Sequence, residues 1–325
     1  MKAITIILLI SIPLSAPFCT KVSPKKENRL EKAIADYESD NPDVRCLAIC
    51  LLSESRIKPE DRKIVFPTLQ KALKDENPEV RSIAATIFGS WGQEALEAVP
   101  ALIELLNDES KKVREMAAMT LGAIGPSAKV AIPALIETLD KNIDKNKHEY
   151  FPIAFPISQF GQDAIPYLID ALKHEREGVR AGAAAALCII GSNGEEVAPA
   201  LISTIDDDYP MVRRNVVGAL SKFGGEPGVV AALCQALEDA DPEVINCAIL
   251  ALGLLGPQAE PSVPGLIKLL DNEIYYLRGN AISALGKIGP KASEALPKLR
   301  ELSETDELIR FRESAKEAIS KIEDI

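Results

Sequence analysis

Seven prolines stand in one register along the chain: Pro67, Pro100, Pro133, Pro166, Pro199, Pro264 and Pro297. The steps between them are 33 residues, except for one of 65 that spans a repeat in which Ala231 takes the proline's place. A period of that length marks an array of stacked supersecondary units, and it fixes the architecture before any single element is assigned. Each proline opens an apolar phrase, such as Pro100-Ala-Leu-Ile-Glu-Leu-Leu, Pro133-Ala-Leu-Ile-Glu-Thr-Leu and Pro166-Tyr-Leu-Ile-Asp-Ala-Leu. A second phrase alternates with the first. Val80-Arg81, Val113-Arg114, Val179-Arg180, Val212-Arg213 and Leu277-Arg278 each lead into a small, apolar stretch. A glycine follows twelve residues after each Val or Leu, at Gly92, Gly125, Gly191, Gly224 and Gly289, and Gly161 and Gly256 complete the column.

Both phrases read as helices. Val113, Met116, Ala117, Leu121 and Ile124 fall at helical spacing on one face. The glycine column supplies the positive φ that ends a helix without a Cβ clash. Turns such as Asp40-Asn41-Pro42, Asn77-Pro78 and Asp241-Pro242 precede the Val-Arg phrase. There, Asp or Asn can cap free backbone N–H groups, and proline suits the first helical turn. Each unit is therefore predicted as helix A, a glycine turn, helix B with its proline near the start, then an Asp-rich turn. Eight such pairs fit, with a leading helix near 29–38 and a closing helix that opens at Phe311-Arg312. The polar residues Lys316, Glu317, Lys321 and Glu323 suit that last helix to capping the stack.

Other arrays share this period. The Thr-Pro-Leu-His phrase of ankyrin repeats and the aromatic signature of tetratricopeptide repeats are both absent. The phrases Asp-Pro-x-Val-Arg and Ile-Pro-x-Leu-Ile-x-x-Leu resemble HEAT repeats, in the short HEAT-like form also found in phycobilin lyases and in bacterial exported proteins. The resemblance covers about residues 29–325. It implies an all-α fold, a right-handed α-solenoid with a concave face lined by B helices, and a non-enzymatic scaffold that binds a protein or peptide. Phycobilin lyases suggest a second role, as a chromophore lyase or chaperone or another enzyme on the same scaffold. An export signal would argue against that role.

The first residues carry such a signal. Met1-Lys2-Ala3 leads into an uncharged run from Ile4 to Phe18, a pattern that predicts a signal peptide over 1–18. The run is shorter than the roughly 20 apolar residues of a membrane-spanning helix. No later stretch reads as a membrane span. Cys19 follows the run where lipoproteins carry their lipidated cysteine, although the bulky Phe18 fits that pattern poorly. Residues 19–28 read as a polar tether and 29–325 as the solenoid. The expected location is the cell envelope, either periplasmic, secreted or lipid-anchored. Contact with a membrane would come only through that anchor or an uncleaved signal.

The remaining composition narrows the chemistry. With 37 basic and 48 acidic residues the chain carries a net charge of −11, which argues against nucleic acid, whose binding needs Lys and Arg against phosphate. The sequence has only two His, no Cys-x-x-Cys and no His-Glu-x-x-His, so neither metal nor cofactor is expected. No nucleophile or phosphate-loop motif is present, and no catalytic residue is assigned. The Arg column is read as a ladder of Arg–Asp pairs between repeats, and Trp91 as core. Cys188 and Cys234 fall in small or apolar columns and read as core fillers.

The fourth repeat departs from the pattern. Its A segment carries Pro152 and Pro156, which should shorten or kink the helix. Tyr150, Phe151, Phe155, Phe160 and Tyr167 gather there, a third of the chain's aromatics. Phe151 and Phe155 occupy columns held elsewhere by Ser82, Glu115, Thr86 and Ser283, and Tyr167 replaces Ala101, Ala134 and Ala200. Exposed aromatics are favoured contact anchors. The competing expectation is that they fill gaps left by the distorted helix. The candidate partner-binding residues are therefore Phe151, Phe155 and Tyr167, together with the B-helix surface column Lys71, Glu104, Glu137, Asp170, Gln235 and Lys268.

Overall fold

A computed structural model describes residues 26–53, 57, 59–142 and 152–323. The signal segment, Cys19, most of the tether, Tyr150 and Phe151 lie outside those residues. Helix α1 (Lys26–Asp36) leads the array and begins inside the segment read as tether. Eight pairs follow: α2 (Pro42–Ser53) with α3 (Pro59–Ala72), α4 (Pro78–Trp91) with α5 (Val99–Leu105), α6 (Lys111–Ile124) with α7 (Ile132–Thr138), α8 (Ala154–Ser158) with α9 (Ile165–Ala171), α10 (Glu177–Ile190) with α11 (Gly194–Ile202), α12 (Pro210–Leu220) with α13 (Val229–Ala236), α14 (Pro242–Leu255) with α15 (Val263–Leu269), and α16 (Tyr275–Ile288) with α17 (Leu296–Thr305). Helix α18 (Ile309–Glu323) closes the stack, burying Phe311, Ala315, Ala318 and Ile322 and exposing its Lys and Glu residues. The fold is an all-α solenoid, with no strand among the described residues.

Local chemistry sets the helix ends. Asn77 accepts a hydrogen bond from the Glu79 amide at 2.8 Å, and Asp241 one from Glu243 at 2.8 Å, each with proline in the first turn. The glycine turn differs from the expected simple cap. Gly92 has φ 56° and ψ −126°, a region open essentially to glycine alone, and it starts a 3₁₀ stretch that runs into helix B. Gly224 does not adopt positive φ; in that repeat Gly228 does, at 83°. The B-helix proline lies in the first turn of α5, α7, α9, α15 and α17. In α3 and α11 the helix starts earlier, and Pro67 and Pro199 fall inside it.

Two stretches, Lys111–Thr138 and Pro242–Leu269, are apolar and long enough to cross a membrane, contrary to the sequence reading. Each is two helices joined through a glycine and a 3₁₀ stretch, with about half of its residues buried in the solenoid.

The A helices pack on one another through a column of small residues. A Cβ at Gly122 would lie 2.9 Å from the Pro156 Cα, and one at Gly286 would lie 3.1 Å from the Ala318 Cα. Gly89 and Gly253 meet Thr120 and Ala284 in the same way. Consecutive A helices therefore touch along their lengths, whereas consecutive B helices meet at few points. In a curved stack the more closely spaced layer is the inner one. The A helices thus line the concave side, the reverse of the arrangement that the resemblance implied.

Arginine ties the repeats together as expected. Arg81 Nε and Nη2 donate to the two carboxylate oxygens of Asp108 at 2.7 and 2.8 Å, while Nη1 donates to the Asp75 and Glu76 carbonyls. Arg45–Asp75, Arg180–Asp207 and Arg213–Asp239 repeat the geometry. Each aspartate also accepts from the backbone two residues on, as Asp75 does from Asn77. In α14, Ile245 takes the arginine's position, and Asn272 takes the aspartate's position in the following turn. The two charges disappear together, as the cost of an unpaired buried charge requires.

Candidate functional site

Helix α8 is where the regular stack gives way. Most other A helices run 14 residues, but α8 has five. Pro156 has no N–H to donate and sits in the first turn of α8, which starts only two residues upstream of it. Pro156 also packs its backbone onto Gly122, so it serves as both helix breaker and spacer. The aromatics around it separate. Phe160 is buried, Phe155 is 50% exposed on the A layer, and Tyr167 is 48% exposed on α9 in the B layer. Phe155 and Tyr167 therefore belong to opposite layers and do not form one cluster.

Phe155 borders a groove of about 520 Å³ on the A side. Its floor and walls come from four successive A helices: Ala154 and Phe155 of α8, Cys188 and Ile189 of α10, Asn215 and Gly218 of α12, and Glu243, Asn246 and Cys247 of α14, among others. Ile189 is 49% exposed, and on α14 Leu250 and Leu254 continue the same face. Burial raises the Cys188 thiol pKa, with Lys222 only partly offsetting it, so the thiol stays protonated at neutral pH. Burial likewise raises the Cys234 and Cys50 thiols. No group of three His, Cys, Asp or Glu suited to a metal occurs among the described residues. The groove offers apolar side chains, two carboxamides and one charge of each sign, Arg214 and Glu243.

The groove lies on a longer pattern. Six residues before each helix-ending glycine stand Cys50 (by its place in α2), Thr86, Met119, Phe155, Ala185, Gly218, Leu250 and Ser283. None carries a charge, although 26% of the chain is charged, and all are exposed or half-exposed. An uncharged row thus runs along the inner side.

Comparison with known proteins agrees with this architecture. A family model for HEAT repeats matches residues 66–148, 154–221, 199–262 and 230–320. The chain belongs to the HEAT-repeat family. A search of curated proteins gives no match. Among solved structures, Kap95p from a complex with RanGDP is similar at 17% identity and a TM-score of 0.67, covering 92% of this chain and 47% of that one. Kap121p bound to Pho4p is similar at 16% identity and a TM-score of 0.66, covering 92% and 38%. The chain spans less than half the length of either, and the likeness is one of fold.

In this HEAT array the B-helix column faces out, and most of its members pair with neighbouring repeats. Lys71 donates to Glu38 at 2.7 Å, Lys74 pairs with Glu104 at 3.3 Å, and Lys268 with Glu238 at 3.4 Å. Glu137 accepts from Arg176 at 2.5 Å, and Gln235 donates to Asp206 at 2.7 Å. Asp170 is exposed on α9 beside Tyr167. All of them but Asp170 link neighbouring repeats across the outer layer. Trp91 is buried against Phe66 and Phe88, as read from its column. Reading from sequence missed Ile189, Asn215, Gly218, Asn246, Leu250 and Leu254. Alignment on the glycine column would have exposed the uncharged row, but not the layer that faces inward.

Proposed function

We propose that this HEAT-repeat chain is a non-enzymatic scaffold of the cell envelope that binds a protein or peptide partner in the groove of its inner layer, with Phe155 as an anchor. The observation that carries this reading is the groove itself. A half-exposed aromatic and an exposed aliphatic side chain share a groove of no net charge that the solenoid leaves open. Apolar side chains that stay exposed without an internal partner mark interaction surfaces. Solved solenoids of similar fold were captured with protein partners, RanGDP on Kap95p and Pho4p on Kap121p, which supports a protein over a small molecule. The net charge of −11 disfavours nucleic acid.

The envelope location rests on the N-terminal residues 1–18, and a lipid anchor at Cys19 would hold the scaffold at a membrane surface. The test is in-cell cross-linking of the tagged chain beside Phe155→Ser. Recovery of a partner by the parent, and its loss in a variant that melts at the same temperature, is the expected result. Equal recovery by both would remove the groove from the interface. Cell fractionation with Cys19→Ala tests the anchor: the parent should partition with membranes and the variant should not. A parent found wholly in the cytosol would overturn the envelope assignment.

A further inference from the structure

Gly218 has no role in the fold that the structure shows. It lies within α12, where glycine is less favourable than alanine because it loses more backbone freedom. Elsewhere along the A helices, glycine earns its place by close packing. A Cβ at Gly89, Gly122, Gly253 or Gly286 would press within 3.3 Å of the next helix. At Gly218 a Cβ would meet nothing within 4 Å. Its φ is not positive either, so no turn requires it. The equivalent positions of α6 and α14 hold Met119 and Leu250, so large side chains suit this row. The missing side chain leaves space in the groove between Ile189 on α10 and Cys247 on α14, with Phe155 beyond.

Resting on the scaffold reading above, we infer that Gly218 is the floor of a socket that seats one bulky apolar side chain of an uncharged peptide segment belonging to another protein. The charge pattern selects that occupant. The row through the groove is uncharged from Cys50 to Ser283. Its walls hold one charge of each sign, Glu243, which accepts from the Tyr276 hydroxyl at 2.9 Å, and Arg214, which has its own partner in the fold, so the groove carries no net charge. A ligand of either sign would lose hydration here and meet a pair of opposite charges rather than a net counter-charge. The carboxamides suit a peptide backbone. Asn215 uses its amide nitrogen on the Ala181 carbonyl at 3.3 Å, and Asn246 uses its oxygen to accept from Asn280 at 2.7 Å. Each therefore keeps a complementary group, an acceptor on Asn215 and a donor on Asn246, for a peptide unit beside the socket.

The test pans a phage-displayed library of randomised twelve-residue peptides on the full chain. Enriched peptides are then titrated by fluorescence anisotropy against the parent, Gly218→Ala and Gly218→Leu. Enrichment of uncharged peptides with a shared Phe, Leu, Ile or Met is expected. Gly218→Leu should weaken them by roughly tenfold or more, the scale of one lost apolar side-chain site. Replacing the shared peptide residue by Gly should cost about as much in the parent and little more in Gly218→Leu. Gly218→Ala should raise the melting temperature by about 2 °C, and Gly218→Leu should not lower it, since no neighbour is displaced. Enrichment of charged peptides, or none, overturns the inference. So does a folded Gly218→Leu that binds as the parent does; if Phe155→Ser still abolishes binding, the scaffold reading survives without the socket. Sedimentation showing a dimer of the parent that Gly218→Leu dissolves would instead give the groove to a second copy.

Discussion

The inner and outer layers of this solenoid are built from the same repeat yet hold their neighbours by opposite means. The inner A helices approach through glycine and other small residues until backbone meets backbone, as Gly122 meets Pro156. The outer B helices stand further apart and bridge the gap with long charged side chains, such as Lys71 to Glu38. Between them runs the ladder of Arg–Asp pairs, with Arg81 and Asp108 almost fully buried. The contrast shows where a partner can be accommodated. Most outer charges are paired with one another, while the inner row carries no charge and keeps apolar side chains such as Met119, Phe155 and Leu250 exposed.

The largest way to break that arrangement is at the ladder. Arg81→Met leaves Asp108 buried without a counter-charge and should cost about 3 kcal/mol by denaturant unfolding. Adding Asp108→Leu should recover much of the loss, because the penalty belongs to the orphaned carboxylate. A double variant no more stable than the single one would show that the pair itself, and not the orphan, carries the stability. Next comes the inner spacing. Gly122→Leu must push α8 away from α6 and should cost about 2 kcal/mol, with partner binding at Phe155 weakened by the displaced helix. A parent-like melting curve would mean that the close approach of the A helices is not obligatory.

Acid sharpens the comparison further. Burial alone would raise the Asp75, Asp207 and Asp239 carboxyls, but hydrogen bonds and charge from Arg45, Arg180 and Arg213 outweigh it and hold all three below the usual carboxylate range. A native pKa below the unfolded one, about 3.9, adds stability that is complete above that value and is lost as pH falls through the native pKa. Thermal stability should therefore decline below about pH 4, and Arg213→Met should flatten that decline. The smallest effect is expected on the outer layer. Lys268→Ala removes an exposed pair with Glu238 and should change stability by less than about 0.5 kcal/mol. A loss above 1 kcal/mol would mean that the outer ion pairs bear more of the stack than their exposure allows.

Much of this was legible in the residues. The proline and glycine registers located eight helix pairs, the Val-Arg phrase located the ladder, and Pro152 with Pro156 marked the shortened helix. Phe155 was found because it departs from its column. Tyr167 was grouped with it because sequence proximity cannot separate two layers of one repeat. The outer column of Lys71, Glu104, Glu137, Asp170, Gln235 and Lys268 was read as partner-facing, and all but Asp170 pair within the stack. Their pairing depends on residues about 30 positions away, such as Glu38 for Lys71, which only the stack brings within reach.

The division follows from the range of the forces involved. By itself the sequence determined the elements, their number and their register, because helix periodicity, proline's missing N–H and glycine's open φ act within a few residues. Tertiary structure alone decided which layer faces inward, which charges are spent and why Gly218 stands open. Curvature comes from the difference in spacing between two layers, and that difference appears only when one repeat has another to pack against.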